Sequence, residues 1–166
     1  DYGDGFVLAV SPFRVDPASL LRGVKHTGIM PKIMARRLAA DQGCQDALLL
    51  TAEGYVGEAS AASIFWVRDG ALFTPSLECG ILDGLTRMLV LRVAPRGGIP
   101  AEEGQYPLEH LLQADEAFLT SSTWELVPVK RVGDRDFAAP RPGPVTRRLI
   151  ELYRQEVRRL IEENLP

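Results

Sequence analysis

The sequence predicts an α+β domain in which a mixed β-sheet carries flanking helices. Short apolar runs separated by turn signals indicate strands, and a one-sided apolar stripe near the C-terminus indicates a helix. The two kinds of element do not alternate regularly, as they would in a doubly wound parallel sheet. A chain of 166 residues with 46% hydrophobic and 25% charged residues is typical of one globular domain, here spanning 1–166.

The N-terminal half is predicted to form a strand, a helix and then a β-meander. The strands are expected at 6–14, 46–51, 55–60, 64–67 and 71–74, and the helix at 31–41. Pro31 suits the first turn of this helix, and Gly43 is placed to end it. Asp69-Gly70 is a strong two-residue hairpin signal between the last two strands.

The C-terminal half is predicted to contain three helices and two strands. Helices are expected at 84–94 and 108–113, strands at 116–119 and 125–132, and a last helix follows. Asp83 is expected to cap the first of these helices, and Pro95 to end it. The last helix has apolar residues at 145, 149, 150, 153, 157, 160 and 161, so we expect it to pack through one face.

Composition and charge argue against several classes of function. The formal net charge of -3 gives no reason to expect nucleic acid or an acidic membrane surface as partner. Cys44 and Cys79 have no CxxC spacing, so neither a disulfide framework nor a metal site is indicated. No apolar run reaches the roughly 18 residues of a membrane span. We therefore expect a soluble, cytoplasmic protein that acts on small molecules.

Four polar segments stand where the surrounding pattern predicts burial or a turn. They are Lys25 ahead of a helix, Glu58 in a strand of small residues, Asp83-Gly84-Leu85-Thr86-Arg87 at a helix start, and Ser121-Ser122-Thr123 after a strand. A helix N-terminus offers free N–H groups to an anion, and strand ends are common places for ligand contacts. Taken singly, each segment has a commoner explanation, such as a surface lysine or a polar loop.

Taken together and in this order, the segments resemble the class IV aminotransferase family, which includes branched-chain and D-amino acid aminotransferases and aminodeoxychorismate lyase. The resemblance is carried by Lys25-His26-Thr27, Asp46-Ala47-Leu48-Leu49-Leu50, Gly54-Tyr55-Val56-Gly57-Glu58-Ala59-Ser60, Ile64-Phe65, Thr74-Pro75, Ile81-Leu82-Asp83-Gly84-Leu85-Thr86-Arg87, Ala114-Asp115-Glu116 and Pro128-Val129. It implies the large, C-terminal domain of the D-amino acid aminotransferase-like fold, a pseudo-barrel with flanking helices.

The resemblance also implies pyridoxal 5′-phosphate (PLP) as the cofactor. Lys25 is expected to form a Schiff base with PLP, and Glu58 to face the pyridine nitrogen and keep it protonated. Leu85 and Thr86 are expected to bind the phosphate at a helix N-terminus, with Ser122 as a second phosphate contact.

The substrate side is defined less completely. Thr123 lies where the family's substrate carboxylate meets the backbone. Gly28-Ile29 stands where many members have Asn-Tyr or Asn-Leu, so a tyrosine that often steadies the cofactor ring hydroxyl is absent. Ser63 replaces an asparagine that is common before the Ile-Phe pair. The family's small N-terminal domain supplies a phosphate-binding arginine and one wall of the substrate pocket, and it is not expected within these residues.

The implied function is PLP-dependent transamination between an amino acid and a 2-keto acid, in a homodimer. Two alternatives stay open. Aminodeoxychorismate lyase shares the Lys25-His26 and Phe65-Trp66 pairs, and Gly28-Ile29 together with the missing small domain suggests a non-catalytic domain that retains the fold. The 166-residue chain alone is expected to fold but to show little transaminase activity.

Overall fold

A computed structural model describes residues 2–164, and nine strands and four helices are found among them. The strands are β1 (Phe6–Val15), β2 (Asp46–Thr51), β3 (Val56–Ala59), β4 (Ser63–Arg68), β5 (Ala71–Pro75), β6 (Ala101–Gly104), β7 (Glu116–Ser121), β8 (Glu125–Val132) and β9 (Arg135–Asp136). The helices are α1 (Met30–Asp41), α2 (Leu85–Val93), α3 (Leu108–Leu112) and α4 (Pro144–Asn164).

The strands form one mixed sheet. Their order is β3-β2-β1-β8-β7-β4-β5-β6, and β9 pairs with β8. β1 runs parallel to β2 and β8, and β5 runs parallel to β6, whereas the other pairs are antiparallel. β3 lies at one end of this order and also contacts β4 and β5, so the sheet curls toward itself. The predicted mixed sheet with flanking helices is therefore confirmed.

Most predicted elements are present, although several ends differ by one or two residues. Asp69 and Gly70 have φ values of 52° and 78°, the left-handed geometry of the two-residue hairpin turn that their sequence predicts. β6 and β9 were not predicted. β6 has the sequence Ala-Glu-Glu-Gly, which lacks an apolar alternation, and it forms through main-chain pairing with β5.

The prediction that Asp83 caps α2 was wrong. The N-cap position is Gly84, and no side chain there bonds to the helix start. The Asp83 carboxylate instead accepts a hydrogen bond from the Arg87 guanidinium at 3.1 Å. An acidic residue one position ahead of the cap can pair with a cation one turn into the helix, which the sequence pattern alone does not distinguish from capping.

The core is built on both faces of the sheet. Along β4, Ile64 and Trp66 belong to one apolar cluster, and Phe65 and Val67 belong to the cluster covered by α2 and α4. All four side chains are at most 1% exposed. This alternation follows the two-residue period of a strand, so both faces of β4 are buried.

α4 packs through one face, as its apolar stripe predicts. Leu149 and Tyr153 are buried against the sheet and α2. The Glu116 carboxylate of β7 accepts hydrogen bonds from the N–H groups of Val145 and Thr146 at 3.0 and 2.8 Å, and so fixes the helix start. Among the described helices, none is both long and apolar enough to cross a membrane.

Candidate active site

A cavity of about 310 Å³ lies between the segment before α1, strand β3, the start of α2 and the end of β7. Five of the sequence-predicted residues line it, namely Lys25, Glu58, Leu85, Thr86 and Ser122. Thr123 does not line this cavity, and its hydroxyl lies 3.2 Å from that of Ser121. The fold thus brings five distant positions to one surface and leaves the sixth beside them.

Glu58 is fixed on the cavity wall by the close packing of β3. A Cβ atom at Gly57 would lie 2.8 Å from the Leu49 carbonyl oxygen and 2.9 Å from a Val15 methyl group. Glycine therefore allows β3 to approach its neighbours this closely. Side chains alternate along a strand, so Glu58 faces away from that contact and toward the cavity. It is 5% exposed.

The Glu58 carboxylate has a partner that sequence reasoning missed. Lys32 Nζ donates to Glu58 Oε1 at 2.7 Å, and the Leu82 N–H donates to Oε2 at 3.4 Å. Removing a buried carboxylate from water is costly unless a cation compensates it, and Lys32 provides that cation. The two residues come from α1 and β3, and no local pattern in the sequence signals their pairing.

The start of α2 offers an anion site. The first N–H groups of a helix have no acceptor within it, and no side chain caps those of Leu85 and Thr86. The positive end of the helix dipole adds to their attraction for an anion. Thr86 is 4% exposed, so its hydroxyl is held in the cavity wall by packing.

Arg87 connects the start of α2 to neighbouring strands. It is 2% exposed, donates to the Pro75 carbonyl oxygen at 2.9 Å, and forms ion pairs with Asp83 and Glu103. These partners lie on β5, on β6 and just before α2. The two terminal nitrogens of the guanidinium are thus occupied by structural contacts, whereas Nε has no hydrogen-bond partner among the described residues. No local sequence pattern indicates that Arg87 would be so deeply buried.

Two hydroxyl groups on the cavity wall have unused hydrogen-bonding capacity. Ser60 Oγ and Thr120 Oγ1 are buried and have no hydrogen-bond partner among the described residues. Buried polar groups are normally satisfied, so unpartnered hydroxyls on residues that line a cavity are compatible with a polar ligand there. With the free N–H groups of α2 and the Glu58 carboxylate, they fit a ligand that has a phosphate and a basic ring nitrogen, as PLP does.

Lys25 reaches the cavity from an exposed segment rather than from the sheet. All residues from 20 to 30 are exposed, and Lys25 is one of the residues that line the cavity. Next to it, the Gly28 N–H donates to His26 Nδ1 at 3.0 Å, a local turn that shapes the chain before α1. Lys25 therefore contributes to the cavity from a solvent-exposed segment.

Comparison with known proteins decides the family. Residues 6–132 match the family model for class IV amino-transferases. The chain belongs to the class IV aminotransferase family. A probable branched-chain-amino-acid aminotransferase of Thermotoga maritima is 41% identical over 151 residues, which cover 91% of this chain and 54% of the relative. Aminodeoxychorismate lyase of Bacillus subtilis is 32% identical over 160 residues, which cover 96% and 53%.

A solved structure agrees with this membership. The branched-chain amino acid aminotransferase of Thermobaculum terrenum, in its PLP form, has a TM-score of 0.88 at 31% identity, and the match covers 92% of this chain and 51% of that one. The predicted pseudo-barrel fold of the family is thereby confirmed. The chain spans about half the length of the curated relatives it matches.

Proposed function

We propose that this chain is the PLP-binding part of an aminotransferase that moves an amino group between an amino acid and a 2-keto acid. The observation that carries the proposal is that one cavity is lined by Lys25, by the buried Glu58 and by the uncapped start of α2. Membership in the class IV aminotransferase family supports the same proposal. The higher identity to the Thermotoga maritima relative, 41% against 32% for the lyase, favours transamination over elimination.

Each residue has a defined task in this proposal. When bound, PLP supplies an electron-accepting ring that stabilises the negative charge left on a substrate α-carbon. Lys25 Nζ would hold the cofactor covalently until the substrate amine displaces it, and the freed amine would then remove the α-proton of the amino acid. Glu58 keeps a proton on the ring nitrogen, and the N–H groups of Leu85 and Thr86, with the hydroxyls of Thr86 and Ser122, hold the phosphate.

We further infer that residues outside these 166 complete the enzyme. The relatives are about twice as long as the matched region, and the lysine side of the cavity is exposed. A second wall would exclude water and strengthen the electrostatic interactions at the site. The chain alone should therefore bind PLP weakly and show little turnover. Comparing its turnover with that of a longer, native-length protein at matched PLP concentration tests this inference, and equal turnover would contradict it.

A second copy of the chain is the proposed partner. Met30, Ile33, Met34 and Leu38 lie on one face of α1 and are between 37% and 63% exposed. Apolar patches of this kind mark association surfaces. Among the described residues, the β2–β5 meander has no exposed large apolar side chain, so the candidate surface is α1. Ile33→Asp should shift a dimer to monomer in analytical ultracentrifugation, and an unchanged mass would exclude this face.

The cytoplasm is the proposed compartment. Cys44 and Cys79 are both free thiols, which a reducing compartment preserves. Fractionation of the source cells, followed by detection of the protein with a specific antibody, would check this.

Borohydride trapping tests the central proposal. The sequence contains Lys25, Lys32 and Lys130 as its lysines. After incubation with PLP and reduction, peptide mapping should find the cofactor on Lys25, and Lys25→Ala should lose it. Lys130→Ala is the matched control, because Lys130 pairs with Asp4 and does not line the cavity. Label on Lys32 would overturn the assignment of Lys25, and no label at all would favour a non-catalytic domain.

A product assay separates transamination from elimination. The proposed enzyme forms glutamate from 2-oxoglutarate and an amino acid donor. Formation of pyruvate and 4-aminobenzoate from aminodeoxychorismate would instead establish the lyase reaction. The assay uses the native-length protein, because the site is proposed to be incomplete in the shorter chain.

A further inference from the structure

We propose that Lys32 acts on the cofactor through Glu58, by occupying one carboxylate oxygen and leaving the other for the ring nitrogen. Lys32 and the protonated ring nitrogen then share a single buried carboxylate. Lys32 therefore weakens the interaction between Glu58 and the ring proton. The inference rests on the proposed function, because it requires that Glu58 meet the ring nitrogen. It makes Lys32 a positioning residue that sets how strongly the ring nitrogen is bound.

The two carboxylate oxygens of Glu58 are used unequally. The 2.7 Å distance from Lys32 Nζ to Oε1 is that of a strong, charge-assisted hydrogen bond. The 3.4 Å distance from the Leu82 nitrogen to Oε2 is near the outer limit for an N–H donor. A carboxylate oxygen can accept more than one hydrogen bond, so Oε2 has the larger unused capacity.

The pair lies where it can act on a ligand. Glu58 and Lys32 both line the cavity of about 310 Å³ and the adjoining cavity of about 270 Å³, so they form part of the wall between them. Their side chains are 7% and 31% exposed. Glu58 is the one carboxylate among the described residues that line the larger cavity. A cationic ring nitrogen entering this cavity therefore has one carboxylate available, and Lys32 already binds it.

The other cations at the cavity do not compete for Glu58. Arg87 is occupied by Asp83, Glu103 and the Pro75 carbonyl. Lys25 lines the larger cavity but not the adjoining one, and its proposed role is covalent attachment to the cofactor. Lys32 is thus the charge whose removal most directly changes what the ring nitrogen meets.

The sign of the effect follows from electrostatics. Like charges that share one buried partner repel, and the repulsion is large where water is scarce. Replacing Lys32 by a neutral residue removes this repulsion and leaves the whole carboxylate to the ring nitrogen. The ring nitrogen should then contribute more to cofactor binding than it does in the native protein.

A ratio of two dissociation constants measures that contribution. One ligand is PLP, and the other is its carbocyclic analogue, in which a C–H group replaces the ring nitrogen while the phosphate and aldehyde are kept. The ratio of the analogue's constant to that of PLP cancels general damage to the pocket. Lys32→Met should raise this ratio by about tenfold, Lys32→Arg should leave it near the native value, and Glu58→Gln should bring it close to one.

The outcomes separate this inference from the proposed function. Lys32→Gln provides a second neutral variant in case Lys32→Met misfolds, and circular dichroism checks both. A high native ratio that Glu58→Gln abolishes, but that neither neutral Lys32 variant raises, would overturn the inference and leave the Glu58 role intact. A ratio near one in the native protein and in both neutral Lys32 variants would show that Glu58 does not meet the ring nitrogen, and would overturn both.

Discussion

The two sides of the cavity are built in different ways. Glu58, Thr86 and Thr120 lie on strands and a helix start and are at most 5% exposed, whereas Leu20 and Val24, near Lys25, are 98% and 54% exposed. The side that carries Glu58, Thr86 and Thr120 is fixed by the core of this chain. The lysine side is held by local contacts, such as the 3.0 Å hydrogen bond from Arg22 to the Pro17 carbonyl. Substitutions should therefore have unequal costs on the two sides.

The largest difference is expected between Phe118 and Leu20. Phe118 is fully buried and stacks on Phe65 with ring centroids 5.2 Å apart. Phe118→Ala should lower the free energy of unfolding by about 3–5 kcal/mol, because it leaves a cavity in the core. Leu20→Ala should change it by less than about 0.5 kcal/mol. Urea unfolding measures both, and comparable losses would show that the exposed segment is as well packed as the wall.

A smaller loss is expected from Gly57→Ala. The added methyl group would press on the Leu49 carbonyl and on Val15, so overpacking should cost about 1–3 kcal/mol. Any shift of β3 also moves Glu58, and PLP affinity should fall with stability. Ala52→Ser, in the exposed turn between β2 and β3, is the control and should change neither quantity. If Gly57→Ala bound PLP with native affinity, a shift of β3 would not impair cofactor binding.

Parts of the buried cavity wall could be predicted where the sequence pattern that determines them is local. The Asp69-Gly70 turn and the apolar runs of β2 and β8 depend on neighbouring residues, and their predicted positions agree with the structure. The family resemblance pointed to five residues that the fold gathers at one cavity. Their roles stay predictions, because contact with a shared cavity does not show what each residue binds.

Features that depend on distant partners were not predictable. β6 lacks a strand-like sequence and forms because the edge of β5 is available for pairing. The Lys32–Glu58 pair joins a helix to a strand 26 residues away, and both residues have commoner surface roles. The Asp83 prediction failed for a similar reason, since its partner Arg87 is drawn inward by β5 and β6.

A modest pH effect is expected at His110, which is partly buried and lies outside the cavity. Burial, and then the positive charge of Arg68, lower the pKa of His110 below its usual 6.5. Neutral His110 accepts a hydrogen bond at Nδ1 from Trp66 Nε1 at 2.9 Å. The folded protein therefore binds fewer protons here than the unfolded chain does. This contribution to the free energy of unfolding is fully present above the ordinary pKa of histidine. It is lost as the pH falls from that value through the lowered pKa of His110 in the folded protein.

His110→Asn tests this effect. The free energy of unfolding of the native protein should decline between about pH 7 and pH 5, and the variant should show a shallower decline because it has no imidazole to protonate. His26→Asn is the matched control, since His26 lies on the exposed segment. An equal change in slope for both variants would mean that burial at His110 does not control the pH response.

The smallest effect is expected at Thr123, beside the buried wall but outside the cavity. Its hydroxyl makes one exposed contact, 3.2 Å to the Ser121 hydroxyl, so Thr123→Ala should change the free energy of unfolding by no more than about 0.5 kcal/mol. PLP affinity should stay within about twofold, because Thr123 does not line the cavity that is proposed to bind the cofactor. Ser122→Ala is the comparison variant, and a larger loss of PLP affinity is expected for it. Ser122 lines the cavity, and the substitution removes a proposed phosphate contact. Its PLP affinity, measured by absorbance titration, should fall about fivefold or more. A larger loss in Thr123→Ala than in Ser122→Ala would place the phosphate on the other side of this turn.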